Sequence, residues 1–290
     1  MKKLQALLLS ALSMLIILAA CNGGGSKDAY ILKMRLAKGD TFQNNMKIDM
    51  DMAMNMAAMK MNMKMKMDMG SRFEVLDSST QGKQLKMTYT FMKMSMDMGQ
   101  ANPGIDTDSI LNEATKGIAD KSLLLTVKDN EVVDVKGLDS MTITNADPAA
   151  RAMMEKMFTK ESMNQTFGMM FNLYPDKPVK VGDSWEKEND IEMGMMKMKV
   201  KTTYTLTGVK NGIAELTMNG TLGSKGTMNQ QGTNIDMDMK GSQKGRINVK
   251  LETGYIDNGN YDMDITADMD AMGQKIPMTI KGKYSITGNK

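Results

Sequence analysis

Methionine is the residue type on which any chemistry of this chain must turn: it supplies 38 of the 290 residues, whereas histidine is absent and cysteine occurs once, at Cys21. A thioether transfers no proton and carries no charge. It is a soft, polarisable group on an unbranched arm, suited to filling irregular apolar space or to holding soft cations. Without histidine the usual general base and the usual zinc and Cu(II) ligands are missing, and nothing evident activates Ser184 in Gly182-Asp183-Ser184. A carboxylate pair of glycosidase type is formally available among Asp49, Asp51, Glu186, Glu188, Asp236, Asp238, Asp262 and Asp264. Most of these acids alternate with methionine, as the solvated face of a strand does, so the expectation is a protein that is not an enzyme and uses no cofactor.

Spacing says what the methionines are for. From Met46 to Met69 they alternate with Lys, Asp, Asn or Ala, the period of a strand with one apolar face. The phase shifts once: Met46, Ile48, Met50, Met52, Met54 and Met56 are even, and Met59, Met61, Met63, Met65, Met67 and Met69 are odd. A two-residue turn at Ala57-Ala58 predicts a hairpin that sets Met56 opposite Met59, Met54 opposite Met61, Met52 opposite Met63 and Met50 opposite Met65. The device recurs where Ile191 and Met193 precede Met196, Met198 and Val200 across Gly194-Met195. Tyr261, Met263, Ile265, Ala267 and Met269 face Ile276, Met278, Ile280 and Tyr284 across Met272-Gly273 in the same manner. Further turns are expected at Asp129-Asn130, Asn211-Gly212 and Asn258-Gly259.

A common thioether face admits three uses. It is a core in which methionine replaces Leu, Ile and Val; it lines a cavity for an acyl chain or other apolar ligand; or it traps Cu(I) or Ag(I). For the cavity the expected liners are Met50, Met52, Met54, Met61, Met63, Met65, Met94, Met96, Met193, Met196 and Met198. For the soft metal they are Met52, Met54, Met61 and Met63, a facing pair of Met-x-Met runs. A curved antiparallel sheet with helices over its mouth is also, by analogy of fold alone, the arrangement of periplasmic lipoprotein carriers.

Two stretches break the β pattern. Thr107 to Lys121 and Asp147 to Tyr174 read as helices, the second opening on Asp147 as N-cap with Pro148 at the first helical position. Thr159 caps a further short helix carrying Met163, Phe167, Met170 and Phe171, and Pro175 and Pro178 end it. Lys38-Gly39-Asp40-Thr41-Phe42 and Val181-Gly182-Asp183-Ser184-Trp185 share a Gly-Asp-hydroxyl-aromatic core, and each leads into a Met-rich hairpin. The pattern predicts a mainly β protein: strongly curved antiparallel sheets built from hairpins in two related halves, over 30–146 and 175–290, with a helical connector over 147–174 packed against them.

The first twenty residues are built as a secretory signal: Lys2 and Lys3, then an apolar run from Leu4 to Leu18 that falls short of the roughly 20 residues of a membrane span. Leu18-Ala19-Ala20-Cys21 resembles the lipobox of bacterial lipoproteins, which implies removal of 1–20, acylation of Cys21 and anchorage in a membrane. Residues 21–29 then form a flexible polar tether, and Asn22, in place of the aspartate of inner-membrane retention, favours the outer membrane, facing the periplasm or the cell surface. Loss of Lys2 and Lys3 leaves 35 basic residues against 34 acidic ones, so no field draws nucleic acid. The lipobox, the Met-rich hairpins and the run from Phe171 through Tyr174-Pro175-Asp176-Lys177-Pro178 to Trp185 resemble a group of uncharacterised Met-rich Bacteroidetes lipoproteins. The resemblance implies an envelope location and a domain of unknown function, and brings no functional residues with it.

Overall fold

The computed structural model describes residues 28–56, 59–79, 82–99, 107–141, 151, 155, 158–193, 196–230, 233–271 and 274–289. The signal segment, Cys21, the Asp147-Pro148 cap and the turns at 57–58, 194–195 and 272–273 lie outside them. The elements run β1 (Thr41–Met56), β2 (Met59–Ser79), β3 (Gly82–Asp97), α1 (Thr107–Lys116), β4 (Ser122–Lys128) and β5 (Glu131–Lys136). After a 3₁₀ turn at Leu138–Met141 come α2 (Lys160–Phe171), β6 (Ser184–Met193), β7 (Met196–Lys210), β8 (Ile213–Gln230), β9 (Thr233–Lys250), β10 (Ile256–Ala271) and β11 (Gln274–Asn289). All eleven strands form one antiparallel sheet in the order β5-β4-β3-β2-β1-β11-β10-β9-β8-β7-β6, so its central seam joins the first strand to the last.

The sheet is curled, and α2 shows how far. At a strand spacing of about 4.8 Å, a flat sheet of this many strands would hold its edges almost 50 Å apart. Yet α2, a helix of 12 residues and so about 18 Å long, packs against both edge strands, β5 and β6. Its first residue, Lys160, reaches Asp134 of β5 at 3.1 Å, and Asn172, its C-cap, donates to Asn189 of β6 at 3.1 Å. The edges therefore face each other across one helix. Thr159 begins α2 as expected, its hydroxyl accepting from the Ser162 amide at 3.1 Å.

Hairpin registers follow the methionine parity. Met50, Met52, Met54 and Met56 pair with Met65, Met63, Met61 and Met59; Met193 pairs with Met196 and Ile191 with Met198; Met269, Ala267, Ile265 and Tyr261 pair with Ile276, Met278, Ile280 and Tyr284. Asp129, Asn130, Asn211 and Gly212 all have positive φ, as two-residue hairpin turns of the primed type require. The two Gly-Asp turns repeat each other bond for bond. Gly39 and Gly182 adopt φ of 89° and 99°, and the carboxylates of Asp40 and Asp183 accept from the amides of Ala37 and Lys180 at 3.0 and 2.8 Å. Gly39 and Gly182 then donate to Val75 and Leu206 at 2.8 and 2.7 Å, which locks β1 to β2 and β6 to β7.

Three expectations are corrected. Asn258-Gly259 is no turn but lies inside β10, where Gly259 leaves room for Ile247 and Ile286 on either side; the chain reverses earlier, at Gly254, with φ of 75°. The first helix stops at Lys116 rather than Lys121, because the carbonyl of Lys121 and the amide of Asp120 are taken by Tyr89 of β3. In the connector, the continuous helix among the described residues is α2 alone, ending at Phe171 rather than Tyr174, while Arg151 and Glu155 are also helical.

One end of the curl is shut by residues 30–37. Leu32, Met34 and Leu36 are buried, with Ile31, Lys33 and Arg35 exposed between them, and Tyr30 bridges to Val179. Arg35 donates from its guanidinium to the carbonyls of Leu251 and Glu252, and its amide donates to Thr253 at 2.7 Å. Phe42 stacks between Phe73 and Tyr255, at 4.7 and 4.4 Å, and Tyr174 buries its hydroxyl on the carbonyl of Gly254. The main core gathers here, drawing residues from strands on both wings of the sheet.

Candidate functional site: the inner thioether face

Residues directly opposite one another across a ladder share a face, so the registers map the inside of the curl row by row. Farthest from the shut end, one row runs Met61, Met54, Met278, Ala267, Met239. The next runs Met63, Met52, Ile280, Ile265, Gly241, Leu222, Val200. Behind it lie Met96, Met65, Met50, Gly282, Met263, Gln243, Gly220 and Thr202, and then Met94, Met67, Ile48, Tyr284, Tyr261, Gly245, Met218, Tyr204 and Trp185. Methionine dominates the β1–β3 wing, and branched, aromatic and glycine residues the β7–β10 wing.

Burial divides these rows. Met239, Ile265, Ala267, Ile280, Leu222 and Val200 form a second, separate core cluster on the β7–β11 wing, and Met50, Met52, Met263, Met269 and Met278 lean on it. The expected liners Met50, Met52, Met54, Met61, Met63, Met65 and Met96 are half-buried, neither packed away nor open. Met94 and Met198 are buried, at 2% and 3% exposure, and serve as packing. Met193 and Met196 pair through their backbones, and their side chains lie outside the described residues. The four methionines of the soft-metal reading form two successive cross-strand pairs, Met52 with Met63 and Met54 with Met61.

The upper part of β3 runs beyond β4, whose pairing stops at Thr88, and α1 covers it. Asp108, in the first turn of α1, accepts the Met96 amide at 2.9 Å, and Leu111 and Ile118 join the core that holds Met92 and Met94. The opposite face of the sheet carries the charges. Lys47, Asp49 and Asp51 stand across from Asp68, Lys66 and Lys64, and Asp262 and Asp264 across from Lys283 and Lys281, alternating in sign. Of the carboxylates set out as formal catalytic candidates, Glu186 pairs with Lys201 at 2.9 Å and Asp238 lies 3.5 Å from Lys240, whereas Asp236 accepts from the Thr227 hydroxyl.

Sequence pattern missed the aromatic and glycine furniture of the inner face. Tyr261 and Tyr284 stack at 4.5 Å with rings parallel to 3°, and Trp185 stacks on Tyr204 at 5.9 Å. Burial pushes the phenols of Tyr204 and Tyr284 up to about 12. Gly245 stands opposite Tyr261, where a Cβ would strike the tyrosine's backbone and Cβ, so the ring lies over a residue with no side chain. Within the Met50 row, Gln243 donates to the buried Thr202 hydroxyl at 2.6 Å, a polar pair inside an apolar surface. The recurrence of glycine on the inward parity of β9, at 241 and 245, was the available signal.

No curated protein matches the chain. Among solved structures, one of lipid–protein interactions in lipovitellin aligns with a TM-score of 0.50 at 10% identity, over 88% of this chain and 26% of that one. The chain thus spans about a quarter of that protein's length, and the likeness is one of fold. An outer membrane channel from Pseudomonas putida F1 aligns over 88% of this chain and 97% of its own, with a TM-score of 0.21 at 7% identity. A family model matches residues 80–256, from the start of β3 into β10, leaving the β1–β2 hairpin outside the match. The chain belongs to that family, a family of unknown function designated DUF6263.

Proposed function

We propose that this is a non-catalytic lipoprotein of the bacterial envelope, anchored through Cys21, that holds an apolar ligand such as an acyl chain or lipid against its thioether face. The observation that carries the reading is the half-burial of Met50, Met52, Met54, Met61, Met63 and Met65 beside a wing whose inward residues are packed. Unbranched thioethers on a half-buried face repack around ligands of varied shape at little cost. Lipovitellin, whose structure concerns lipid–protein interactions, lends the same curled-sheet fold to the argument and no residue-level detail.

The test uses the mature chain with Cys21→Ser, delipidated and then offered fatty acids and phospholipids. Native mass spectrometry should show bound acyl chains and a fluorescent apolar probe should be displaced by them; a protein that takes up neither does not have this function. Intact mass of the wild-type protein from a bacterial envelope should exceed that of residues 21–290 by the mass of its acyl groups.

One observation favours a second reading. The pairing of Met52 with Met63 and of Met54 with Met61 sets four sulfurs on one face within one hairpin, enough donors for Cu(I) or Ag(I). Titration of Ag(I) separates the two: affinity no tighter than that of free methionine removes the metal reading and leaves the apolar one standing.

A further inference from the structure

At the shut end, far from the thioether face, a cavity of about 320 Å³ opens between the segment 30–37 and the ends of β2 and β4. Its apolar wall is Met34, Leu36, Val127 and Phe171, all buried. Its rim carries Lys33, Lys83 and Lys128. Lys83 is the unusual one. It occupies the inward parity of β3, two residues before Leu85, opposite Val127, so its stem lies on the core face and the residue is half-buried. Among the described residues none of the three lysines forms an ion pair, although Asp129 lines the same cavity. Lys83 is held below its ordinary value by burial first and by the charge of Lys33 second, the mark of positive charge left uncompensated. Burying part of a lysine on an apolar face is costly unless an anion meets its charge.

We propose that this cavity receives the anionic head group of an amphiphile, a phosphate or carboxylate, with Lys33 and Lys83 on the charge and Met34, Leu36 and Phe171 against the first carbons of the tail. The volume falls at the small end of the range of ligand sites, enough for a head group and a few methylenes. The site lies apart from the thioether face and does not rest on that reading. The cavity also lies beside the segment that leads back, within about ten residues, to Cys21, so a bilayer lipid and a free amphiphile are both within reach.

The test is calorimetric titration of the Cys21→Ser mature chain with monomeric dodecyl phosphate and, separately, inorganic phosphate. It is accompanied by co-sedimentation with phosphatidylglycerol and with phosphatidylcholine vesicles. Dodecyl phosphate should bind more tightly than inorganic phosphate, and Lys33→Gln/Lys83→Gln should weaken it by about tenfold or more, as loss of charge-assisted contacts does. Lys240→Gln, at a lysine of the opposite wing, should leave it unchanged. Capture by phosphatidylglycerol vesicles that the double variant loses identifies a membrane head group; binding of dodecyl phosphate alone identifies a free amphiphile. Equal affinity of the double variant and the wild type, with both shown folded by circular dichroism, overturns the proposal and leaves Lys83 a snorkelling rim residue. Equal affinity for dodecyl phosphate and inorganic phosphate overturns the apolar half of it. Failure of the thioether-face reading would show as lost probe uptake with this lysine-dependent binding intact.

Discussion

The two ends of the β1–β2 hairpin are packed in opposite ways. Where β1 begins, Phe42 is sandwiched between rings and the neighbouring Val75, Leu85 and Leu125 are almost wholly excluded from solvent. Where β1 ends, ten residues and more along the same face, Met52 and Met54 remain half-buried. Branched and aromatic side chains have few rotamers and pack into one arrangement, whereas methionine has three rotatable bonds and fits many. The comparison teaches that the β1–β2 hairpin is tightly packed where it begins, and that its far end, beside the packed cluster of the β7–β11 wing, is free to specialise in contact with something else.

The strongest way to break the comparison is Phe73→Ala. Phe73 is 1% exposed, stacked on Phe42 and edge-on to Phe167 of α2 at 6.1 Å, so its loss should cost about 3–5 kcal/mol and lower the thermal midpoint sharply. A change under about 1 kcal/mol would mean that the shut end is not tightly packed.

Alkali probes the rows between the two ends. Burial raises Tyr204 and Tyr284 to about 12 from an ordinary value of 10.0, so the neutral phenol is favoured in the folded state. Their contribution is complete below about pH 10, and is lost as pH climbs from there towards 12. Tyrosinate absorbance should rise together with loss of near-ultraviolet circular dichroism; ionisation near pH 10 with the fold intact would show the aromatic row to be open.

Smaller effects sharpen the picture. Thr159→Ala removes the N-cap of α2 and should cost about 1 kcal/mol, with faster amide exchange in β5 and β6, the edges this helix packs against. Replacing Met52, Met54, Met61 and Met63 together by leucine should change stability by less than about 1.5 kcal/mol per site. That variant should keep its affinity for an apolar probe within a few-fold and lose any Ag(I) binding. Loss of the probe with retained Ag(I) affinity would invert the assignment.

Strand existence and register were legible because a period of two admits one inward set of residues and the single phase shift fixes the turn. The Gly-Asp turns were legible for a similar reason: glycine supplies the positive φ and aspartate the side-chain acceptor, wherever the pair occurs. Asn258-Gly259 misled because the dipeptide is a turn signal only where the chain needs to reverse, and β10 needed a small residue between Ile247 and Ile286 instead. The end of α1 was set by hydrogen bonds to Tyr89, a partner too distant in sequence to be read. Nor could alternation separate the half-buried Met52 from the buried Met94, since both obey the same parity, while Met94 sits in the core that Leu111 of α1 joins and Met52 leans on the cluster of the other wing. The lysine-rimmed cavity was hidden for the same cause, because segment 30–37 meets β3 and β4 only in three dimensions.

The seam between β1 and β11 fixes a timetable for the newly made chain. Gln43 finds its mate at Asn289 and Met54 at Met278, so the middle of the sheet cannot be sealed until more than two hundred further residues have been synthesised. Contacts this remote in sequence make for slow folding, and until then β1 presents an unpaired, thioether-rich border to its surroundings. Lys47, Asp49 and Asp51 on its other side are what keep that waiting strand from joining a neighbour of its own kind.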